Sequence, residues 1–492
     1  MPIVVVFISK LENPVYFSTS NEFIPLLRYF RINDPYRLLA LAGLFILLVL
    51  PLFIDSAPLT VPELQSFMLG QKVAEGFSLY SEIVDATPPL AAWFYGLIDW
   101  VFGENLTLRH ICAFLILFFQ GAFLGIILID KKAFTENTYI PSLIFLTLTL
   151  LSFDNFSLTA DLGAFGFLLL ALNSLLTEIE FKVQRDETIF SIGLFTSLST
   201  LFNFSYIIYL PGVVLILILF TRNEVRKYLL MLTGFVLPHL IITATYFING
   251  NLQDIWSSLY ITNLAFPTAS LVSFKSILIL CAVPLAYLLI AVVVLNREAR
   301  LTKYQSQLLT AMFLWFIIGL IQIYFTPQFR AQSLLPIMPA VSFFFTHFLL
   351  LIRRRKFAEI NVWVLLLGIL TTLYLARYSK LEVDYSKLVV QKNQNGITAK
   401  RLLILEDSAP GYVNNFISPP FINWKLTREI FDHPHYYEHV LRVHRLFEAD
   451  PPELIIDTGN RMQPFFDRIP ALQNKYRKSG EGRWVLRDAS SN

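Results

Sequence analysis

Apolar residues between Leu38 and Ala376 come in long unbroken runs, with little polar alternation inside them. Runs of about 17–25 residues match a hydrocarbon core about 30 Å thick. They are read at 38–54, 109–129, 139–153, 161–177, 190–204, 206–221, 228–249, 274–295, 305–325, 333–352 and 360–376, of which 139–153 and 190–204 are short. A further run, Pro89–Phe102, has 14 residues, opens on Pro88-Pro89 and contains Asp99, so it is expected to lie on the outer membrane surface without crossing. The pattern predicts a polytopic α-helical membrane protein of about eleven transmembrane helices.

Polar positions then set orientation. Lys10, Arg28, Arg31 and Arg37 precede the first run. Lys131, Lys132, Lys182, Arg185, Arg222, Arg226, Lys227, Arg297, Arg300, Lys303 and the run Arg353–Lys356 fall in alternate loops. Basic residues in short loops mark the cytoplasmic side, which places the N-terminus inside and the chain after Ala376 outside. The expected organisation is a cytoplasmic segment 1–37, a transmembrane domain 38–376 with an outer loop 55–108, and an extracytoplasmic domain 377–492.

That outer loop breaks the apolar pattern most sharply. Asp55, Glu63, Glu75, Glu82 and Asp85 stand in it against one base, Lys72, before Pro88. Pro62 and Glu63 start a segment that reads as an amphipathic helix, with Gly70 and Gly76 as later breaks. The tail differs again. Strand-like runs at 402–406, 453–457 and 484–487 alternate with helical stretches near 436–447 and 464–476, which predicts a small C-terminal α/β domain. It carries no glycine-rich phosphate loop.

Composition narrows the class. Hydrophobic residues make up 55% of the chain and charged residues only 15%, far from the roughly 25% charged residues of soluble domains. The only basic run, Arg353–Lys356, flanks an apolar segment and reads as a topology signal, so no nucleic-acid partner is implied. Cys112 and Cys281 lie inside apolar runs, and no disulfide or thiolate metal site is expected. Few ionisable residues lie within the spans and no repeat with matching broken helices is visible, which argues against a lipid or glycan transporter.

Candidate chemistry gathers on the outer face. Glu63 can act as a general base toward a hydroxyl or amine, or simply favour the positive end of its helix. Asp85 can serve as a second carboxylate or as a turn residue before the Pro-led helix. Asp161 heads the run at 161–177, as a cap or as an acceptor-binding group. Arg330, in the outer turn 326–336, and Arg109, at the head of the second run with His110, suit a phosphate or a headgroup anchor; Lys275 admits the same reading. His435-Tyr-Tyr-Glu438-His439 fits a short zinc-binding pattern but has no third ligand. The sequons at Asn105, Asn155 and Asn203 bear only on a eukaryotic secretory route.

Taken in order, these pieces resemble a known family. The stretch EGFSLYSEIVDATPPLAAWFYGLIDWVFG followed by Arg109 is similar to the first outer loop of GT-C fold membrane glycosyltransferases, of the protein mannosyltransferase and lipid A aminoarabinose transferase type. LTADLGAFGFLLLAL is similar to their second acidic position, and FRAQSLLPIMPAVSFFF to their late arginine segment. The resemblance covers roughly 38–352. It implies transfer of a sugar from a polyprenyl-phosphate-linked donor to an extracytoplasmic acceptor, with Glu63 and Asp161 at the acidic positions and Arg330 near the lipid phosphate. The usual Asp-Glu pair is Pro62-Glu63 in this chain, the Lys before Pro-Pro is Thr87, and Arg330 stands two residues further from Pro336 than usual.

The reading is therefore a membrane glycosyltransferase of the cell envelope, with Glu63, Asp161 and Asp85 as catalytic candidates and Arg330 and Arg109 as donor-phosphate ligands. Its partners are the lipid-linked donor, the acceptor and the bilayer; no cofactor is specified and the need for a divalent metal is left open. The departures favour an alternative, an inactive GT-C-like scaffold bound to other envelope proteins. Short loops point to a bacterial inner membrane.

Overall fold

A computed structural model describes residues 25–55, 57–181, 185–221, 224–298, 301–391, 400–407 and 409–487. Lys10, Lys182, Arg222 and Arg300, used above for orientation, lie outside the described residues, as does most of 1–37.

Each of the eleven apolar runs carries a helix, but they are not all alike. Among the described residues, seven helices are long and apolar enough to cross a membrane: Tyr36–Ile54, Leu106–Asp130, Ala160–Glu180, Val225–Ile248, Lys303–Tyr324, Ala331–Leu351 and Arg355–Arg377. An eighth span is the pair Phe274–Leu280 and Ala282–Glu298, bent by 66°. Pro284 explains the bend, because it has no N–H to return to the carbonyl of Leu280. The count of eleven is thus not reached by length. Helix Ile140–Thr149 has ten residues and Tyr209–Phe220 has twelve; at about 1.5 Å per residue neither covers a full core. Helix Asp186–Thr200 has 15 residues and is rich in Ser and Thr. Each of the first two is joined to a short 3-10 turn, Phe153–Phe156 and Phe204–Ile208. These turns, not long loops, supply polar groups to the site described below.

Pro89–Phe102 is a 14-residue helix, shorter than a span as its length predicted. It packs on helix Val61–Ala74 so closely that a Cβ on Gly70 would lie 2.6 Å from the Tyr95 carbonyl oxygen. Gly70 is therefore a contact point inside the helix and not a break. Gly76, at φ +94°, does lie just past the helix end, where only glycine is unstrained. Nor is Val61–Ala74 amphipathic. Leu64 and Met68 pack against Leu402, Ile404 and Tyr412, while Leu69 packs against Tyr95. The C-terminal domain covers the face that would otherwise meet water.

That domain holds a five-stranded sheet in the order Phe416–Ile417, Arg401–Ile404, Leu454–Ile456, Arg483–Leu486, Tyr476–Gly480. The first three strands are parallel and the last two form an antiparallel hairpin. The three strand-like runs are all strands, and Tyr437–Ala449 is a helix. Strands Phe416–Ile417 and Tyr476–Gly480 and helix Trp424–Asp432 are additions. The stretch 464–476 is two short helices, Gln463–Arg468 and Pro470–Gln473, because Pro470 interrupts the hydrogen-bond ladder.

The acidic loop before Pro88 is clamped between the two parts. Val84 accepts backbone hydrogen bonds from Ile422 and Asn423 and donates to Pro420. Arg442 donates to the Tyr80 carbonyl, and Lys72 forms a buried ion pair with Asp450 at 2.6 Å. Tyr246 and Asn263 hold the same loop from the membrane side, at the Leu79 and Ala86 carbonyls.

Candidate functional site

Four of the five acids in the outer loop are already engaged. Asp55 pairs with Arg377 at 3.3 Å. Glu75 pairs with Lys72, and Glu82 accepts from the Ser78 N–H. Glu63 is 1% exposed. Its Oε2 accepts from the Thr60 N–H and hydroxyl at 3.0 and 2.8 Å, and its Oε1 lies 2.7 Å from His110 Nε2. Thr60 in turn accepts from the Glu63 N–H, a capping box that starts the helix.

Asp85 is different. It is 4% exposed and its Oδ2 has no hydrogen-bond partner. Burial pushes its pKa up, opposed by the Thr87 hydroxyl, by the Ala86 and Thr87 N–H groups and by the Asn423 side chain. It lines a cavity of about 500 Å³ that also meets Asp161 and Arg330. Glu63 and Arg109 are not among the lining residues. Arg109 is buried beneath the surface helix, bonded to Asp99 at 2.9 Å and to the Gly103 carbonyl, with Phe67 stacked 4.0 Å away.

Arg330 is the centre of the inner wall. Its Nη2 donates to Asp161 Oδ2 at 2.7 Å, to Gln332 Oε1 at 2.6 Å and to Thr159 Oγ1 at 2.9 Å. Asp154 Oδ1 stands 3.6 Å from Nη1. The side chain is 2% exposed, yet Nε and Nη1 have no hydrogen-bond partner. Asp161 is fixed further by Asn203 Nδ2 at 2.6 Å, and Tyr95 accepts from the Ala160 N–H at 2.7 Å. The surface helix thus caps the helix that carries Asp161. Burial also raises the Asp154 pKa, against Arg330 and the Gln332 N–H, with Glu63 and Asp161 adding repulsion.

Sequence reasoning placed Asp161 and Arg330 without pairing them. It missed Asp154, Gln332 and Asn203, which hold that pair. Polar residues inside short apolar runs were the available signal, since buried polar groups need partners. The remaining candidates lie elsewhere. Lys275 pairs with Glu382 on the surface. His435 precedes helix Tyr437–Ala449, so it cannot share a helical face with His439, whose Nδ1 meets the His433 carbonyl. Among the described residues no three His, Cys, Asp or Glu side chains form a group suited to a metal.

Chemically, the cavity lining includes a carboxyl, Asp85, with one oxygen that accepts no hydrogen bond, and a guanidinium, Arg330, with N–H groups beyond those that Asp161, Gln332 and Thr159 take up. Those N–H groups suit phosphate oxygens, and the carboxylate suits a proton.

No protein-family model and no curated protein sequence matches the chain. Solved structures do. ArnT from Cupriavidus metallidurans bound to undecaprenyl phosphate aligns at 12% identity with a TM-score of 0.53, covering 93% of this chain and 98% of that one. Its apo form aligns at 13% identity and a TM-score of 0.45, covering 65% of this chain and only 62% of that one. The oligosaccharyltransferase AglB from Archaeoglobus fulgidus, in complex with an inhibitory peptide and a dolichol-phosphate, aligns at 10% identity and 0.47, covering 92% and 74%. An alignment over nearly the whole of both chains shows the GT-C fold, and this chain is a multi-pass membrane protein of that fold.

Proposed function

We propose that the chain is a membrane glycosyltransferase that moves a sugar from a polyprenyl-phosphate-linked donor to an acceptor outside the cytoplasm. The observation that supports this most is that Asp85 and Arg330 line one cavity, while the buried Asp85 Oδ2 and Arg330 Nε have no hydrogen-bond partner. In this reading the donor phosphate accepts from Arg330. The acceptor hydroxyl gives its proton to the Asp85 carboxylate as its oxygen attacks the anomeric carbon. The sugar–phosphate C–O bond breaks, and its electron pair leaves on the phosphate oxygen beside Arg330. Positioning and charge stabilisation do most of the work, because the leaving group is already a phosphate. Asp161 positions Arg330, and Glu63 holds the helix start. Arg109 supports the surface helix. A bacterial inner membrane with the C-terminal domain outside fits the positive-inside pattern.

The test is transfer from a polyprenyl-phosphate-linked sugar in vesicles holding the purified chain. Asp85→Asn is expected to remove transfer with the fold intact; transfer at the wild-type rate would sink the assignment of the base. The second reading, an inactive scaffold, draws on Glu63 being wholly engaged by Thr60 and His110. It predicts stable co-purification with envelope proteins and no turnover by the wild type.

A further inference from the structure

The membrane helices make only part of the cavity wall. The rest comes from the C-terminal domain, and its place there follows from strand order. The central parallel strand, Arg401–Ile404, has the strand that follows it on one side and the next, Leu454–Ile456, on the other. Open sheets whose order reverses in this way bind ligands at the carboxyl ends of the strands, where the connections diverge. Here the central strand runs out into Leu405, Glu406 and Asp407. Glu406 is hydrogen-bonded to Thr458, which follows the neighbouring strand. Glu406 and Asp407 both line the cavity, as do Asn423 and Trp424 at the start of helix Trp424–Asp432. The crevice that the topology creates therefore opens into the same space as Asp85 and Arg330.

We propose that this crevice is the acceptor subsite and that it takes a carbohydrate with neutral or amine-bearing sugars. The word acceptor rests on the transferase reading; the binding does not. Carboxylate oxygens accept from neighbouring sugar hydroxyls, an amide both donates and accepts, and an indole offers an apolar face to the C–H side of a pyranose ring. Cavities of about 300–1,000 Å³ with a few placed polar groups are those that hold small ligands. A second observation is independent of the acids at the strand ends. Asp85, whose buried Oδ2 accepts no hydrogen bond, lines the same cavity. Charge decides between sugars. The lining carries Asp85, Asp161, Glu406 and Asp407 against Arg330 and Lys425, so it disfavours anionic glycans away from Arg330.

The test uses the full chain in detergent on an array of neutral, amino and anionic glycans together with basic peptides. Neutral or amino glycans are expected to bind, and the signal to fall by about tenfold or more in Glu406→Gln/Asp407→Asn and in Trp424→Ala. Glu481→Gln, in an exposed hairpin turn, leaves it unchanged, and thermal melts confirm that each variant folds. Equal binding by wild type and the double variant, binding of anionic glycans or basic peptides alone, or no binding at all would each overturn the proposal. Binding of photoreactive undecaprenyl phosphate separates the two claims. Lipid-phosphate binding and sugar transfer without glycan selectivity would condemn the crevice alone. Glycan binding without transfer would condemn the transferase reading alone.

Discussion

Burial keeps the Asp85 carboxyl protonated to higher pH than in the unfolded chain. Between the ordinary carboxylate value, about 4, and this raised one, the native state holds more protons than the unfolded state, so stability falls as pH rises through that window and stays lower above it. Asp85→Asn removes the loss. The variant is expected to melt above wild type at about pH 8, by about 1–3 kcal/mol, with the gap closing toward about pH 4. A gap that ignores pH would show that Asp85 is not the group responsible. Transfer activity follows the opposite course, failing as acid protonates the base, with its acid limb above the usual Asp range. Glu63→Gln makes the contrasting case. Glutamine serves equally at that capping position, so the expected cost is about 1 kcal/mol from the weaker His110 contact, with transfer retained. Folded protein without transfer would return the role of base to Glu63. The sequence named both residues but could not rank them, because the difference lies in Thr60, His110 and Asn423, two of them distant along the chain.

At the scale of elements, helices Asp186–Thr200 and Val225–Ile248 cross where a Cβ on Gly193 would lie 1.9 Å from the Met231 carbonyl oxygen. Backbone cannot yield as a side-chain tip can. Gly193→Ala is therefore expected to part the helices and cost about 2–3 kcal/mol. Gly43, on helix Tyr36–Ile54, meets nothing within 4 Å. Gly43→Ala should be neutral or gain about 0.5–1 kcal/mol from lower unfolded-state entropy. Equal melting temperatures for the two variants would count against close helix approach. Apolar runs revealed where these helices are, since run length follows from the bilayer. They did not reveal where 139–153 and 206–221 break, because those breaks are polar turns whose partners Gln332, Arg330, Asp161 and Gln322 lie across the bundle.

At the scale of the molecule, one buried ion pair joins the domains. Lys72 is 2% exposed and Asp450 is 3% exposed. Removing Lys72 alone leaves the buried Asp450 carboxylate only its longer contact with Arg401, at 3.5 Å, so Lys72→Ala is expected to cost about 3 kcal/mol, whereas replacing both Lys72 and Asp450 by apolar residues of similar size recovers most of it. Hydrogen exchange over 76–88 and 400–487 reads the result. Faster exchange in both stretches marks a loosened clamp, and unchanged exchange would show that the backbone pairing at Val84 suffices alone. Because that clamp also positions Asp85, the single variant should lose transfer beyond what its stability predicts.

The chain's own pattern determined that it crosses a membrane many times. It also determined that a 14-residue run makes a helix shorter than a span, and that strands and helices would alternate in the tail. These are local matters: run length against bilayer thickness, proline at helix starts, β-branched runs between turns. The site is not local. Asp161 and Arg330 are 169 residues apart and meet at 2.7 Å, and Asp85 owes its raised pKa to burial, opposed in part by Asn423 from 338 residues on. Burial and partnership depend on what the rest of the chain brings near, and only the tertiary structure decides that.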